Sequence, residues 1–174
     1  MKTAIVGYSG SGKSTLARAI GAHDGASILH LDSVHYLPGW EARKPEEERQ
    51  IVSDFLDRHD AWVIDGNYSK LSYDRRMEEA DRIIVMRFDR LNCLRRVTRR
   101  YRTYRGRTRP DLAEGCCEKL DREFVLWVLW KGRKKAARQR YRRLQEQYAD
   151  KVTVLKNQKQ TDAFLAGLGS TMRG

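Results

Sequence analysis

The 174-residue sequence has no long apolar run, and it contains few cysteines and prolines. No segment approaches the roughly eighteen apolar residues of a membrane-spanning helix, and the first residues do not resemble a signal peptide. We therefore expect a cytoplasmic protein without membrane segments. The three cysteines (Cys93, Cys116 and Cys117) cannot all pair, and their spacing is not typical of zinc or redox sites, so we expect them to be reduced.

The positive charge of the chain is concentrated in one block. The formal net charge is +12, and residues 87–143 contain 20 lysines and arginines against 6 acidic residues. The rest of the chain is nearly neutral. Three interpretations are open for this block: a solvated helix face, a nucleic-acid surface, or a lid that closes on a transferring phosphate.

Short apolar segments alternate with segments that have helical periodicity. The predicted strands are residues 2–7, 27–31, 61–64, 82–88 and 151–155. The predicted helices are residues 14–20, 45–59, 91–104 and 117–148, with a last helix from about Thr161. This alternation predicts an α/β fold in one domain over residues 1–174, with a parallel sheet covered by helices on both sides.

The first strand and helix enclose the segment Gly7-Tyr8-Ser9-Gly10-Ser11-Gly12-Lys13-Ser14-Thr15, which matches the Walker A pattern in the context that the motif requires. We expect this P-loop to bind the phosphates of ATP or GTP together with Mg²⁺. Glycines let the backbone amides turn toward the phosphates, and the lysine reaches the β- and γ-phosphates. The expected nucleotide-binding residues are Gly7, Ser9, Gly10, Ser11, Gly12, Lys13, Ser14 and Thr15, with Ser14 also a magnesium ligand.

Two aspartates follow predicted strands at the edge of the sheet where ligands of such folds bind. Asp65 is expected to hold magnesium, and Asp32 to orient or deprotonate the hydroxyl group of an acceptor. Both residues are also common in turns and helix caps, and that structural alternative stays open. The four histidines (His23, His30, His35 and His59) have no metal-binding spacing, and we expect structural roles for them.

The basic block lies between the fourth and fifth predicted strands, where a P-loop kinase needs cations above the γ-phosphate. Gly106 and Pro110 interrupt it, as expected for a mobile loop. Arginine suits this role because its planar group binds phosphate oxygens in pairs and stays charged. This position favours the lid interpretation, with a lid region at about residues 91–135.

Several longer segments carry a family resemblance. They are residues 7–15, 31–40, 62–69 and 105–116, of which Pro38-Gly39-Trp40 and Asp65-Gly66-Asn67-Tyr68 are the most specific. On these segments the chain resembles the DNA topology modulation proteins, a bacterial group of adenylate-kinase-like P-loop proteins. The resemblance implies a three-layer α/β/α sandwich with a five-stranded parallel sheet in the order 2-3-1-4-5.

The lid segment is similar to the short lid of shikimate kinases, where one arginine lies near adenine and another reaches phosphate. This likeness implies those roles for Arg96 and Arg109, with Arg133 as a further candidate for the phosphate. Asp65-Gly66 is similar to the strand end of adenylate kinases. Asn67 and Tyr68 then depart from the adenylate kinase pattern, so adenylate kinase activity itself is not implied.

The sequence thus predicts a kinase that transfers the γ-phosphoryl group of ATP to a small acceptor: a nucleoside, a nucleotide or another hydroxyl metabolite. Lys13, Asp32, Arg109 and Arg133 are the predicted catalytic residues. The alternative is a nucleotide-dependent DNA-binding regulator that affects DNA topology, in which the basic block contacts the duplex backbone. The sequence contains no helix-turn-helix, zinc-finger or basic-zipper pattern, and nothing in it indicates an oligomeric state.

Overall fold

The computed structural model describes residues 1–170. Its elements follow in the order β1 (Lys2–Gly7), α1 (Lys13–Asp24), β2 (Ser27–His30), α2 (Leu31–His35), β3 (Tyr36–Leu37), β4 (Glu41–Ala42), α3 (Pro45–Arg58), β5 (Trp62–Asp65), α4 (Tyr73–Glu79), β6 (Arg82–Met86), α5 (Arg90–Tyr104), α6 (Arg122–Leu129), α7 (Lys135–Gln147), β7 (Val152–Leu155) and α8 (Gln158–Ser170). Short 3-10 helices cover Pro38–Trp40 and Lys131–Arg133.

Five of the strands form a parallel sheet in the order β2-β5-β1-β6-β7. Numbered among themselves, these five strands have the order 2-3-1-4-5, so the predicted sheet and its topology are confirmed. The middle residues of the central strands are apolar and buried because helices cover both faces of the sheet. Because these strands are parallel, the carboxyl ends of β1, β2 and β5 meet at one edge of the sheet, where folds of this kind bind ligands.

The core lies between the sheet and its helices. Trp62, Ile64, Ile83 and Ile84 on the central strands are fully buried, and Leu16 and other apolar residues of α1 pack against them. Within residues 1–170, no helix combines the length and apolarity needed to cross a membrane.

The prediction of one long helix over residues 117–148 is wrong. Asp121 caps the start of α6 by accepting a hydrogen bond from the backbone N–H of Phe124 at 2.7 Å. The helix ends at Trp130, and the following turn contains Gly132, where a Cβ atom would lie 3.0 Å from the carbonyl oxygen of Trp127. Two shorter helices, α6 and α7, therefore replace the predicted one. The sequence analysis also missed α2, α4 and the hairpin β3–β4.

Candidate active site

The P-loop between β1 and α1 approaches its neighbours too closely for side chains at two positions. A Cβ atom on Gly7 would lie 2.3 Å from the carbonyl oxygen of Met86, and one on Gly10 would lie 2.7 Å from that of Cys93. Both glycines and Gly12 have positive φ angles, which residues with a side chain rarely adopt. The loop can therefore turn its backbone N–H groups toward an anion at the start of α1.

Lys13 begins α1 and is half-buried beside the loop. Its Nζ donates a hydrogen bond to the carbonyl oxygen of Tyr8 at 3.3 Å. Loss of solvation lowers the pKa of Lys13, and the carboxylates of Asp32 and Asp65 oppose that shift. A cation whose partner is a neutral carbonyl can exchange it for phosphate oxygens, which bind it more strongly.

Ser14 and Asp65 are brought together, as the sequence analysis expected. The Ser14 hydroxyl donates a hydrogen bond to Asp65 Oδ2 at 2.9 Å, and Asp65 is buried at the end of β5. Hydroxyl and carboxylate oxygens are the hard ligands that Mg²⁺ prefers, and this ion needs few of them when phosphates and water supply the rest. The pair therefore fits a nucleotide-bound magnesium ion.

His30 holds the other oxygen of the same carboxylate. It is the neighbour of Asp65 in the pairing of β2 with β5, and its Nδ1 is hydrogen-bonded to Asp65 Oδ1. Burial disfavours the charged ring, but the hydrogen bond and the charge of Asp65 outweigh it and raise the pKa of His30. The sequence analysis missed this pair because strand register is needed to place the two residues side by side.

Asn67 joins the end of β5 to the first residue of the P-loop. Its Oδ1 accepts a hydrogen bond from the Gly7 N–H at 3.0 Å, and its Nδ2 donates to the Gly7 carbonyl oxygen at 2.6 Å. Tyr141 also donates to Asn67 Oδ1, at 3.2 Å. Asn67 lies where the sequence departs from the adenylate kinase pattern. In this structure its side-chain amide fixes the first residue of the P-loop.

Asp32 lies in the first turn of α2, and its side chain is 45% exposed. One of its oxygens accepts a hydrogen bond from the Tyr68 hydroxyl at 2.9 Å, and the other lies 3.8 Å from an Arg109 nitrogen. Burial and the nearby Asp32 raise the pKa of Tyr68, which stays a protonated donor. Tyr68 and Arg109 thus orient a carboxylate that is still accessible from the cleft.

Arg109 is surrounded by three carboxylates. Besides Asp32, its guanidinium lies 3.0 Å from Asp111 and 2.9 Å from Glu118, and all but Asp32 are buried. Arg100 of α5 binds Glu118 as well, at 2.6 Å. The sequence analysis chose Arg109 but missed Asp111 and Glu118, because their spacing in a loop has no periodic signal.

Arg96 lies against the P-loop. Its guanidinium lies within 3.0 Å of the position that a Cβ atom on Gly12 would occupy, and it covers the Phe88 ring at 4.8 Å. It also donates a hydrogen bond to Gln158 at the start of α8. This placement next to the loop is compatible with the expected contact to the nucleotide.

Arg133 lies on the other side of the loop, and it does not line the cleft. Its guanidinium stacks on the Tyr8 ring at 4.0 Å and donates to the carbonyl oxygens of Phe88 and Val128 at 2.9 and 2.8 Å. Trp127 of α6 also reaches the loop, donating to the Ser9 hydroxyl at 3.2 Å. Segments of the predicted lid region thus support the P-loop directly.

Two segments meet over the cleft: the arm, residues 36–42, and the lid loop, residues 105–121. The Trp40 indole N–H donates to the carbonyl oxygen of Cys117 at 2.9 Å, and the Cys116 thiol donates to that of Leu37 at 3.1 Å. Trp40 also has a positive φ angle of 69°. The lid loop is therefore docked on the arm in this structure.

Together these elements enclose one cleft of about 1420 Å³. The P-loop, Asp65 and α5 line one part of it, and Asp32, the arm and the lid loop line another. Thr15, in the first turn of α1, is exposed and also lines the cleft, whereas Ser11 is fully buried. The cleft has room for a phosphate donor and a second small molecule together.

Residues 4–126 match the family model described as the AAA domain. The chain belongs to this AAA domain family of P-loop NTPases. Membership is consistent with the P-loop geometry described above, and it implies nucleotide binding. A search of curated proteins finds no match for this AAA domain sequence.

Solved structures with the same architecture are distant in sequence. TT1252 from Thermus thermophilus is 18% identical, with coverage of 100% of this AAA domain chain and 98% of its own, at a TM-score of 0.57. An uncharacterized protein from Eubacterium ventriosum is 15% identical, with coverages of 99% and 98% and a TM-score of 0.54. These likenesses show the fold alone. A shikimate kinase from Bacteroides thetaiotaomicron is 13% identical, with coverages of 100% and 99% and a TM-score of 0.49, too distant to support an inference.

Proposed function

We propose that this AAA domain transfers the γ-phosphoryl group of ATP to a hydroxyl group of a small acceptor. The observation that carries the proposal is an accessible, oriented carboxylate, Asp32, in the same cleft as the P-loop. A kinase needs such a carboxylate to orient the acceptor and take up its proton.

In this proposal the P-loop amides and Lys13 bind the β- and γ-phosphates, and Arg96 contacts the nucleotide beside Gly12. Mg²⁺, held by Ser14 and Asp65, would neutralise phosphate charge. His30 orients the Asp65 carboxylate. Arg133 acts as a positioning residue, because it supports Tyr8 of the loop from outside the cleft.

Arg109 is proposed to contact the transferring group. The acceptor oxygen must approach Asp32 to lose its proton, so the γ-phosphoryl group passes close to the guanidinium that lies 3.8 Å from this carboxylate. Asp111 and Glu118 hold Arg109 in place through close, buried ion pairs. The lid loop thereby brings a fixed positive charge to the part of the cleft where transition-state charge develops.

The proposal is tested by ADP release in the presence of Mg²⁺ and ATP, with nucleosides, nucleotides and small hydroxyl metabolites as candidate acceptors. We expect at least one acceptor to accelerate ADP release, and Asp32→Asn to lower the acceptor-dependent rate by about 10²- to 10⁴-fold. The slow release without acceptor should change little, because water does not need Asp32 in the same position.

A second candidate function, nucleotide-dependent DNA binding, is supported by the exposed face of α7. Lys135, Arg138 and Arg142 line a shallow groove there, away from the cleft. Duplex DNA therefore belongs in the same screen, at several salt concentrations. If DNA accelerates ADP release and this acceleration falls steeply with salt, while no small acceptor accelerates ADP release, the DNA-binding candidate is favoured over the kinase.

Asp65→Asn is predicted to weaken nucleotide binding in Mg²⁺ by about 10- to 100-fold. Binding in EDTA should change much less, because the phosphates then rely on the P-loop and Lys13. Titration with a fluorescent ATP analogue measures both affinities. Asp74→Asn on the exposed surface of α4 is the control. An equal loss with and without metal would assign Asp65 a purely structural role.

Membership of the narrower DNA topology modulation family remains a prediction, based on the segments around Trp40 and Asn67. Asn67 makes two hydrogen bonds to the backbone of Gly7, and Trp40 makes a hydrogen bond that joins the arm to the lid loop. These contacts of Asn67 and Trp40 hold parts of the proposed site together.

A further inference from the structure

The acceptor end of the cleft, beside Asp32, has a row of aromatic rings on one wall. The ring centroids of Tyr68 and His35 are 4.9 Å apart, those of His35 and Tyr36 4.5 Å, and those of Tyr36 and Trp40 4.9 Å. All four rings are partly exposed and line the cleft. Such a row offers flat apolar contact to a ring and little to a compact ion.

The charged side chains at this end are largely committed to each other. Arg109 faces three carboxylates, Arg100 binds Glu118, and Arg18 lies 3.5 Å from Asp111. Because the proposed reaction already assigns Arg109 to the γ-phosphoryl group, a further phosphate or carboxylate on the acceptor would have to displace one of these carboxylates or lie beside it. Either arrangement places like charges together in a partly desolvated site, which is unfavourable.

Further cations line the cleft, among them Arg43, Arg49, Lys70, Lys119 and Arg140. Arg49 lies 3.2 Å from Glu46, and Arg140 donates to the carbonyl oxygen of Asn67 at 3.2 Å. Lys70 is exposed, so solvent and salt screen its charge.

Arg43 donates to the carbonyl oxygen of Val34 at 2.9 Å and lies 3.9 Å from Glu47. Lys119 is exposed, and its Nζ lies 5.1 Å from the centre of the Trp40 ring. A cation over an aromatic face at the surface is a weak anchor for an anion. The balance at the acceptor end therefore favours a neutral molecule.

We propose that the acceptor is a neutral ring-bearing alcohol, a nucleoside or a sugar, whose ring packs against Tyr36 and Trp40 while its hydroxyl meets Asp32. This inference rests on the proposed phosphoryl transfer. In that reaction the acceptor oxygen forms a bond to the γ-phosphorus, the bond from the γ-phosphorus to the bridging oxygen breaks, ADP leaves and the proton passes to Asp32.

Binding is measured by calorimetry with the donor site saturated by a non-hydrolysable ATP analogue and Mg²⁺, so that turnover plays no part. The probes are matched pairs: adenosine and AMP, uridine and UMP, glucose and glucose 6-phosphate. We expect at least one neutral member to bind, and to bind at least about tenfold more tightly than its phosphorylated partner. Tighter or equal binding of the phosphorylated members, or binding of no neutral member, overturns the inference.

Tyr36 variants test the ring contact. Tyr36→Leu should weaken binding of the neutral probe by roughly 3- to 10-fold, whereas Tyr36→Phe, which keeps the ring, should bind nearly as the native protein does. Tyr101→Leu, in the basic block outside the cleft lining, is the matched control. Equal binding by the Tyr36→Leu and Tyr36→Phe variants would show that the aromatic ring makes no contact with the probe, and it would overturn the inference.

The two proposals fail in different ways. A neutral probe that binds through Tyr36 but does not accelerate ADP release from ATP supports the binding site and contradicts phosphoryl transfer. If the protein transfers a phosphoryl group to an acceptor that already carries a phosphate, such as AMP, the result supports phosphoryl transfer and contradicts the proposed neutral acceptor. The nucleoside and sugar pairs also separate the two sources of a neutral ring.

Discussion

Lys13→Ala is expected to lower ATP turnover by a factor on the order of 10³ or more, because it removes the cation that meets the β- and γ-phosphates. The fold should survive, since Lys13 bonds to a single loop carbonyl and burial already lowers its pKa. A lysine whose pKa is lowered in the folded state opposes folding when charged, so its removal does not destabilise the protein on that account.

Turnover, ATP affinity and thermal unfolding of the purified variant measure these effects. Lys159→Ala, at an exposed position of α8, is the matched control and should behave as the native protein. A folded Lys13→Ala variant that keeps full ATP affinity and full turnover would falsify the assignment of the P-loop to nucleotide binding.

Arg109→Ala is expected to have the second large effect, on both catalysis and stability. If Arg109 contacts the transferring group, its loss lowers kcat more than it raises KM, by about 10²- to 10⁵-fold in turnover. The change also leaves buried Asp111 and Glu118 without their shared partner. Breaking a buried ion pair in this way costs about 3–5 kcal/mol.

The pH dependence of this cost has a defined sign. Burial tends to raise the pKa of Asp111, but the nearby charge of Arg109 lowers it below its usual value. A carboxyl group with a lowered pKa in the folded state stabilises the protein above its unfolded pKa, and this contribution is lost as the pH falls through the folded value. The stability difference between native protein and Arg109→Ala should therefore shrink at acidic pH.

Chemical denaturation at neutral and acidic pH measures that difference, and acceptor-dependent kinetics measures the catalytic loss. Arg107→Ala is the matched control, because Arg107 is an exposed arginine of the same lid loop. An unchanged kcat in a folded Arg109→Ala variant would leave the residue a purely structural role. A destabilisation that is independent of pH would show that the carboxylates do not depend on Arg109.

The sheet and the P-loop could be predicted from the sequence because their signals are local. Apolar runs mark β1, β5 and β6, and the glycine spacing of the P-loop directly reflects the contacts with Met86 and Cys93. The pairing of Ser14 with Asp65 followed from the rule that parallel strands end at one edge.

The acceptor side could not be predicted in the same way, because its contacts join residues far apart in the chain. The bond between Tyr68 and Asp32 needs the ends of two strands and a turn to be placed in space, and Glu118 meets Arg100 only after the lid loop has folded back. The break at Asp121 was missed for a related reason. Its capping hydrogen bond competes with an apolar pattern that continues through α6.

The contact between the arm and the lid loop determines how the cleft opens. The Trp40 and Cys116 bonds are two side-chain bonds to backbone carbonyls, and each contributes only about 1 kcal/mol in net terms. Parting the two segments also separates Lys119 from the Trp40 ring and Arg109 from Asp32, so several contacts break together. Because the same step carries Arg109 away from Asp32, opening of the cleft and disassembly of the proposed catalytic arrangement become one event, so Arg109 can reach the transferring group only while the lid loop is docked on the arm.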